Sequence, residues 1–195
     1  KPTEMKRGVS GTISSSLTAP VDTWTQAATP SFGTSGVNCV TWAAGLSKFI
    51  AGGGSGKIAY SSDGSIWTQA ASTPFGSNSV LGVCYSESLK LAIAIGAQGV
   101  AAKSTDLQTW IQVGENIFPS TNLNNVIYSE RLGVFVIVSG SGISARSIFI
   151  SDDGETWESA TDSTFPSDTI DDICDGPDRL VAVSSTGGKI AYSFD

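Results

Sequence analysis

The side chains able to do chemistry in this 195-residue chain are few. It has no histidine, so Ser-His and Cys-His dyads and His-ligated zinc are excluded from the outset. Carboxylate, guanidinium and hydroxyl chemistry remain. A glycosidase needs two acids flanking the scissile bond at a defined separation, and the densest acidic stretch holds Asp168, Asp171, Asp172, Asp175 and Asp178. Adjacent strand residues point to opposite faces, so Asp171 and Asp172 make a poor pair. The stretch also lacks the 1-3-5 spacing of a calcium loop and reads as a solvated rim. No metal site and no cofactor is expected. The arginines are only Arg7, Arg131, Arg146 and Arg179, too scattered to grip a substrate carboxylate between several guanidinium groups.

Three other carboxylates are placed with regularity. Asp63, Asp106 and Asp153 each stand four residues before a tryptophan, Trp67, Trp110 and Trp157, in boxes that open on Ser61, Ser104 and Ser151. A degenerate box ends at Thr23-Trp24, and the four tryptophans are spaced by 43, 43 and 47 residues. Phe32, Phe75, Phe118 and Phe165 follow them by eight residues, and Val40, Val83, Val126 and Ile173 by sixteen. Short apolar runs and Gly-rich turns at a period in the low forties predict an all-β chain, a β-propeller of four-stranded antiparallel blades with about four repeats.

In the second repeat, strands are expected at 80–85, 89–95, 100–104 and 109–113, the second being the most continuously apolar and so covered on both faces. The propeller domain is read as residues 21–195, and residues 1–20 as an N-terminal linker or arm. Residues 23–28 read as an outer strand without its other three, and residues 170–195 as three strands without an outer one. Two arrangements stay open: the halves complete one another and close the ring, or the chain is part of a larger ring.

Composition narrows the partners. A net charge of −7 with 11 Lys plus Arg and no basic run argues against nucleic acid, whose phosphates demand a clustered positive face. No run approaches the ~18 apolar residues of a membrane span, so no membrane insertion is expected. Cys84 and Cys174 share a repeat position, and Cys39 lies two residues earlier. Separate blades hold such positions apart, so buried free thiols and folding in a reducing cytoplasm are expected.

The boxes resemble the Asp-box, or bacterial neuraminidase repeat, of sialidases, glycan-binding propellers and bacterial and phage surface proteins, a resemblance covering residues 21–195. It implies that each box is a turn between the third and outer strands, on the side of the ring opposite the ligand face. Its Asp accepts backbone amides and its Trp packs into the sheet. Asp63, Trp67, Asp106, Trp110, Asp153 and Trp157 are therefore structural. Two departures stand out: the boxes have one residue fewer between Asp and Trp than the commonest form, and Leu107 replaces the usual Gly, so the tight turn is expected to differ there. Sialidase chemistry is not matched: no Arg-Ile-Pro segment opens the fold, and Arg131 and Arg179 fall in turns away from the ligand face.

The ligand face is expected to carry the turns between second and third strands and the connections from outer to inner strand. The 47-residue spacing comes from four extra residues between Val138 and Ser147, and the candidate ligand-binding residues there are Ser141, Ser144 and Arg146. The phenylalanines read as plugs between blades, with an aromatic platform for sugars as the alternative. The expectation is a non-catalytic recognition or structural module, a surface-exposed part of a phage virion or tail protein that binds host-surface glycan. Its partners would be a glycan or protein on a cell surface and other virion subunits. The alternatives are a sialidase-like glycoside hydrolase fragment and a scaffold propeller that binds a protein partner.

Overall fold

A computed structural model describes residues 24–28, 32–140, 147–160, 164–165 and 168–194. They form fifteen strands and three short 3-10 turns, with no α-helix. β1 (Val37–Ala43), β2 (Lys48–Gly53), β3 (Ile58–Ser61) and β4 (Thr68–Gln69) make blade 1. β5 (Val80–Ser86), β6 (Leu91–Gly96), β7 (Ala101–Ser104) and β8 (Ile111–Val113) make blade 2. β9 (Leu123–Ser129), β10 (Val134–Ser139), β11 (Ile148–Ser151) and β12 (Glu158–Ser159) make blade 3. Blade 4 has three strands, β13 (Asp172–Asp175), β14 (Leu180–Ser184) and β15 (Lys189–Ser193). Within each blade neighbouring strands pair in sequence order and antiparallel.

The cores lie between blades. Every residue of β6 is buried, because blade 1 packs on one face and blade 3 on the other. Ile50 and Ile58 of blade 1 meet Ala92, Ala94 and Trp110 of blade 2. Leu91 and Ile93 of blade 2 meet Phe135, Phe149 and Trp157 of blade 3. Val136 and Val138 of blade 3 meet Ile173, Leu180 and Ala182 of blade 4. Phe32, Phe75 and Phe165 are buried and Phe118 stacks edge-on against Phe149 and Trp157. The phenylalanines are thus plugs, and a sugar platform made of them is ruled out.

The arc is open at both ends. On the side of the inner strand that faces the preceding blade, Val83, Val126 and Ile173 are 8%, 3% and 5% exposed, whereas Val40 is 64% exposed. On the side that faces the following blade, Cys84 is buried against blade 3 but its counterpart Cys174 is exposed. The expectation of three buried thiols is therefore corrected: all three are free, Cys84 is buried, Cys39 half-buried and Cys174 exposed for want of a blade beyond it. Residues 24–28 correct a second expectation. They are not a strand, and no described strand pairs with the outer edge of β15.

Candidate functional site

Each box is a self-contained hydrogen-bonded turn between a third and an outer strand. In blade 1, Asp63 Oδ1 accepts the N–H groups of Ser65 (2.8 Å) and Ile66 (2.9 Å) and the Ser61 hydroxyl (3.0 Å), while Ser61 Oγ accepts Gly64 N–H (2.9 Å). Asp106 and Asp153 repeat the pattern, taking Gln108 and Thr109 at 2.8 Å and Glu155 and Thr156 at 2.7 Å. Backbone amides aimed at one oxygen favour the ionised form. They hold the Asp63 and Asp153 carboxyls down at about 2 and lower that of Asp106. In each box one carboxylate oxygen, Oδ1, thus carries the turn.

The turn needs a left-handed residue at its third position after the serine. Gly64 and Gly154 supply it with φ of 76° and 72°, and Leu107 adopts the same conformation with φ of 64°. The expected local difference at Leu107 is therefore absent from the backbone. Packing explains the exception: Leu107 is fully buried in the core between blades 1 and 2. A Cβ at Gly154 would lie 2.6 Å from Leu91 Cδ2, so the same solution in blade 3 would require Leu91 to shift.

The opposite rim carries the turns after each second strand and the outer-to-inner connections, closely fitted together. A Cβ on Gly56 would lie 2.5 Å from Gly76 O, and one on Gly99 2.3 Å from Pro119 O, so glycine lets turn and connection touch. The candidate residues Ser141, Ser144 and Arg146 lie outside the described residues, and Ser139, Gly140 and Ser147 flank them. Ser139 N–H donates to Ser147 O (2.9 Å) across this neck, Gly140 N–H to Asn122 O (2.8 Å), and Ile170 N–H to Ser139 O (3.1 Å).

Beside this neck sits a polar cluster between blades 3 and 4. Ser147 Oγ donates to Asp168 O at 3.2 Å, and Lys189 Nζ bridges the buried Asp168 carboxylate and Thr164 O. Asn124 Nδ2 donates to Ile170 O at 2.8 Å, and Asn125 Nδ2 to Asp172. The acidic stretch is thereby dispersed. Asp171 accepts Ser185 N–H, Asp175 pairs with Arg131 at 3.2 Å, and Asp178 with Arg179 at 2.7 Å. Among the described residues no group of three or more His, Cys, Asp or Glu converges on one point. Arg131 and Arg179 sit in the turns between inner and second strands, on the box side, and Arg179 also lies 4.8 Å over the Phe194 ring.

Sequence reasoning missed the links from one inner strand or turn to the next. Asn38 Nδ2 donates to Val80 O (2.9 Å) as Asn124 does to Ile170 O. Lys57 Nζ caps Phe32 O (2.9 Å) as Lys189 caps Thr164 O. The carboxylate of Glu87 clasps Gly45 N–H at 2.7 and 2.9 Å, and Glu130 accepts Glu87 N–H at 3.1 Å. The spacings were a signal: Asn38 and Asn124 stand 86 residues apart, and Glu87 and Glu130 stand 43 apart.

No family model matches the chain, and no curated protein sequence matches it. Solved structures do. YCF48 from Cyanidioschyzon merolae is 18% identical with a TM-score of 0.61, over 87% of this chain and 56% of that one. YCF48 bound to D1 peptide gives 22% and 0.56, over 82% and 50%. A GH74 enzyme of Niastella koreensis gives 20% and 0.59, over 82% and 22%. The Cps50 (Swd1) beta-propeller domain of Myceliophteria thermophila gives 12% and 0.58, over 83% and 51%. The chain spans about half the length of the YCF48 chains it matches. Repeated four-stranded sheets, cores lying between them and these likenesses together give one conclusion: the chain has the β-propeller fold.

Proposed function

We propose that this chain is a non-catalytic recognition module whose boxes belong to the Asp-box class and whose opposite rim meets the partner. The observation that carries the reading is the division of labour between the two sides. On the box side each repeated carboxylate is satisfied by its own turn, with ionisation displaced far from neutrality. On the other rim, Ser139 and Ser147, which flank the one break in the repeat, are clamped together beside a polar cluster. Variable loops on a rigid scaffold are where binding concentrates.

The ligand class we favour is host-surface glycan, with the chain as an exposed part of a phage virion or tail protein, folded in a reducing cytoplasm and displayed outside. Free thiols, an acidic surface rich in Ser, Thr and Gly, and the Asp-box style of repeat support this. A glycan array probed with the purified chain tests it. Binding that falls at least ~10-fold in Arg146→Ala is the expected result, and an array with no hits, or affinity unchanged in that variant, overturns it.

A protein partner is the second reading, favoured by the peptide bound to the similar YCF48. Affinity capture from host envelope proteins that survives glycan removal would select it. The hydrolase alternative predicts turnover of sialosides, and we expect none.

A further inference from the structure

The two open ends of the arc match one another, and the match is specific. Residues 24–28 read Trp-Thr-Gln-Ala-Ala, the same five residues as 67–71, which contain β4. Their backbone is placed like its counterpart too: Ala28 N–H donates to Ser65 O (2.9 Å), as Ala71 N–H donates to Gln108 O (2.9 Å) one repeat later. Residues 24–28 thus hold the place, against blade 1, of the outer strand of a preceding blade. Trp24 is 93% exposed.

At the other end, blade 4 has no outer strand among the described residues, and an apolar cleft of about 500 Å³ opens between it and blade 3. Leu132, Val134, Ile148, Phe165, Ala182 and Ala191 are among its lining. At the two complete junctions this space is filled by the box tryptophan of the later blade, Trp110 between blades 1 and 2 and Trp157 between blades 2 and 3. Blade 4 also carries Ala182 and Ala191 where blade 3 has Ile137 and Phe149, which widens its cleft.

We propose that the occupant is the 24–28 segment of a second copy of this chain. The same chain does not supply it, because the segment is tied to blade 1 at Ser65 while the exposed Val40 shows that blade 4 does not lie against blade 1. Two arcs joined head to tail, each lending its 24–28 segment to the blade 4 of the other, make a ring within the blade numbers propellers use. The register follows from the other blades, where Ala59 faces Gln69 and Tyr60 faces Thr68. Ala191 faces Gln26 of the second copy, Tyr192 faces Thr25, and the Ala27 N–H donates to Ile190 O as Ala70 N–H does to Ile58 O. Closure also covers Val40, Cys174, Ile190 and Tyr192, and gives β15 a neighbour on the side where no described strand pairs with it.

Native mass spectrometry of the purified chain, with a disulfide test of the register, decides this. The expected mass is that of two chains, and Trp24→Ala raises the dimer dissociation constant by ~30-fold, as loss of a buried aromatic anchor does. In a Cys174→Ser background, Gln26→Cys with Ala191→Cys forms a bond between chains under mild oxidation. A monomer at tens of micromolar, a Gln26–Ala191 bond closed within one chain, or a dimer indifferent to Trp24→Ala overturns the proposal.

Discussion

At the scale of single residues, the box carboxylates make acid the sensitive axis. Asp63 and Asp153 titrate at about 2 in the folded chain against an ordinary 3.8. A depressed folded value means the contribution is complete above the unfolded value and is lost as pH falls through the folded one. Stability is therefore expected to decline between pH ~4 and ~2, and Asp153→Asn to flatten that decline, as read by chemical denaturation across the range. Leu107→Gly sets two effects against each other. Relief of a left-handed leucine returns about 1 kcal/mol, while emptying a fully buried leucine site costs about 2–5. Burial wins, so the variant is expected to lose ~2 kcal/mol in a denaturant titration. The Ser-to-Trp pattern made the box legible in sequence, but the tolerance of leucine at a glycine position was not, because it depends on a cavity supplied by the neighbouring blade.

At the scale of elements, the tight fit of turn against connection gives a sharp test. Gly99 has φ of 71°, and a Cβ there would sit 2.3 Å from Pro119 O. Gly99→Ala combines a disfavoured conformation with a backbone clash and is expected to lose at least ~2 kcal/mol. Gly133, also left-handed but with open space around it, is expected to lose only ~1 under the same change. Strand order and the wholly buried β6 were readable from the repeat and from apolar continuity. The outer-strand reading of residues 23–28 is not met by the described part, 24–28, which is no strand, although Ala28 sits against blade 1 as Ala71 does against blade 2. It went unrealised as a strand because β15 is not beside them. The polar loop at 141–146 was picked out by its length alone, and its neck at Ser139 and Ser147 is the part the fold explains.

At the scale of the molecule, the inner strands report on what lies on either side of them. Cys84 and Cys174 occupy one repeat position, yet only Cys84 has a blade beyond it, and burial pushes its thiol far up. A maleimide is expected to leave Cys84 unmodified until the chain is denatured. Cys174 is expected to react within minutes in nanomolar solution and at least ~10-fold more slowly at concentrations where two arcs join, both read by intact mass. The repeat alone predicted equal burial because periodicity describes interior repeats, while exposure at the ends is a property of the whole arc.

The direction of the indole packing has a further bearing. Trp110 rests on blade 1 and Trp157 on blade 2, so blades 2 and 3 each lean on the one encoded before. As the nascent chain leaves the ribosome, blades 2 and 3 each meet a template already made and need not wait for one still to be translated.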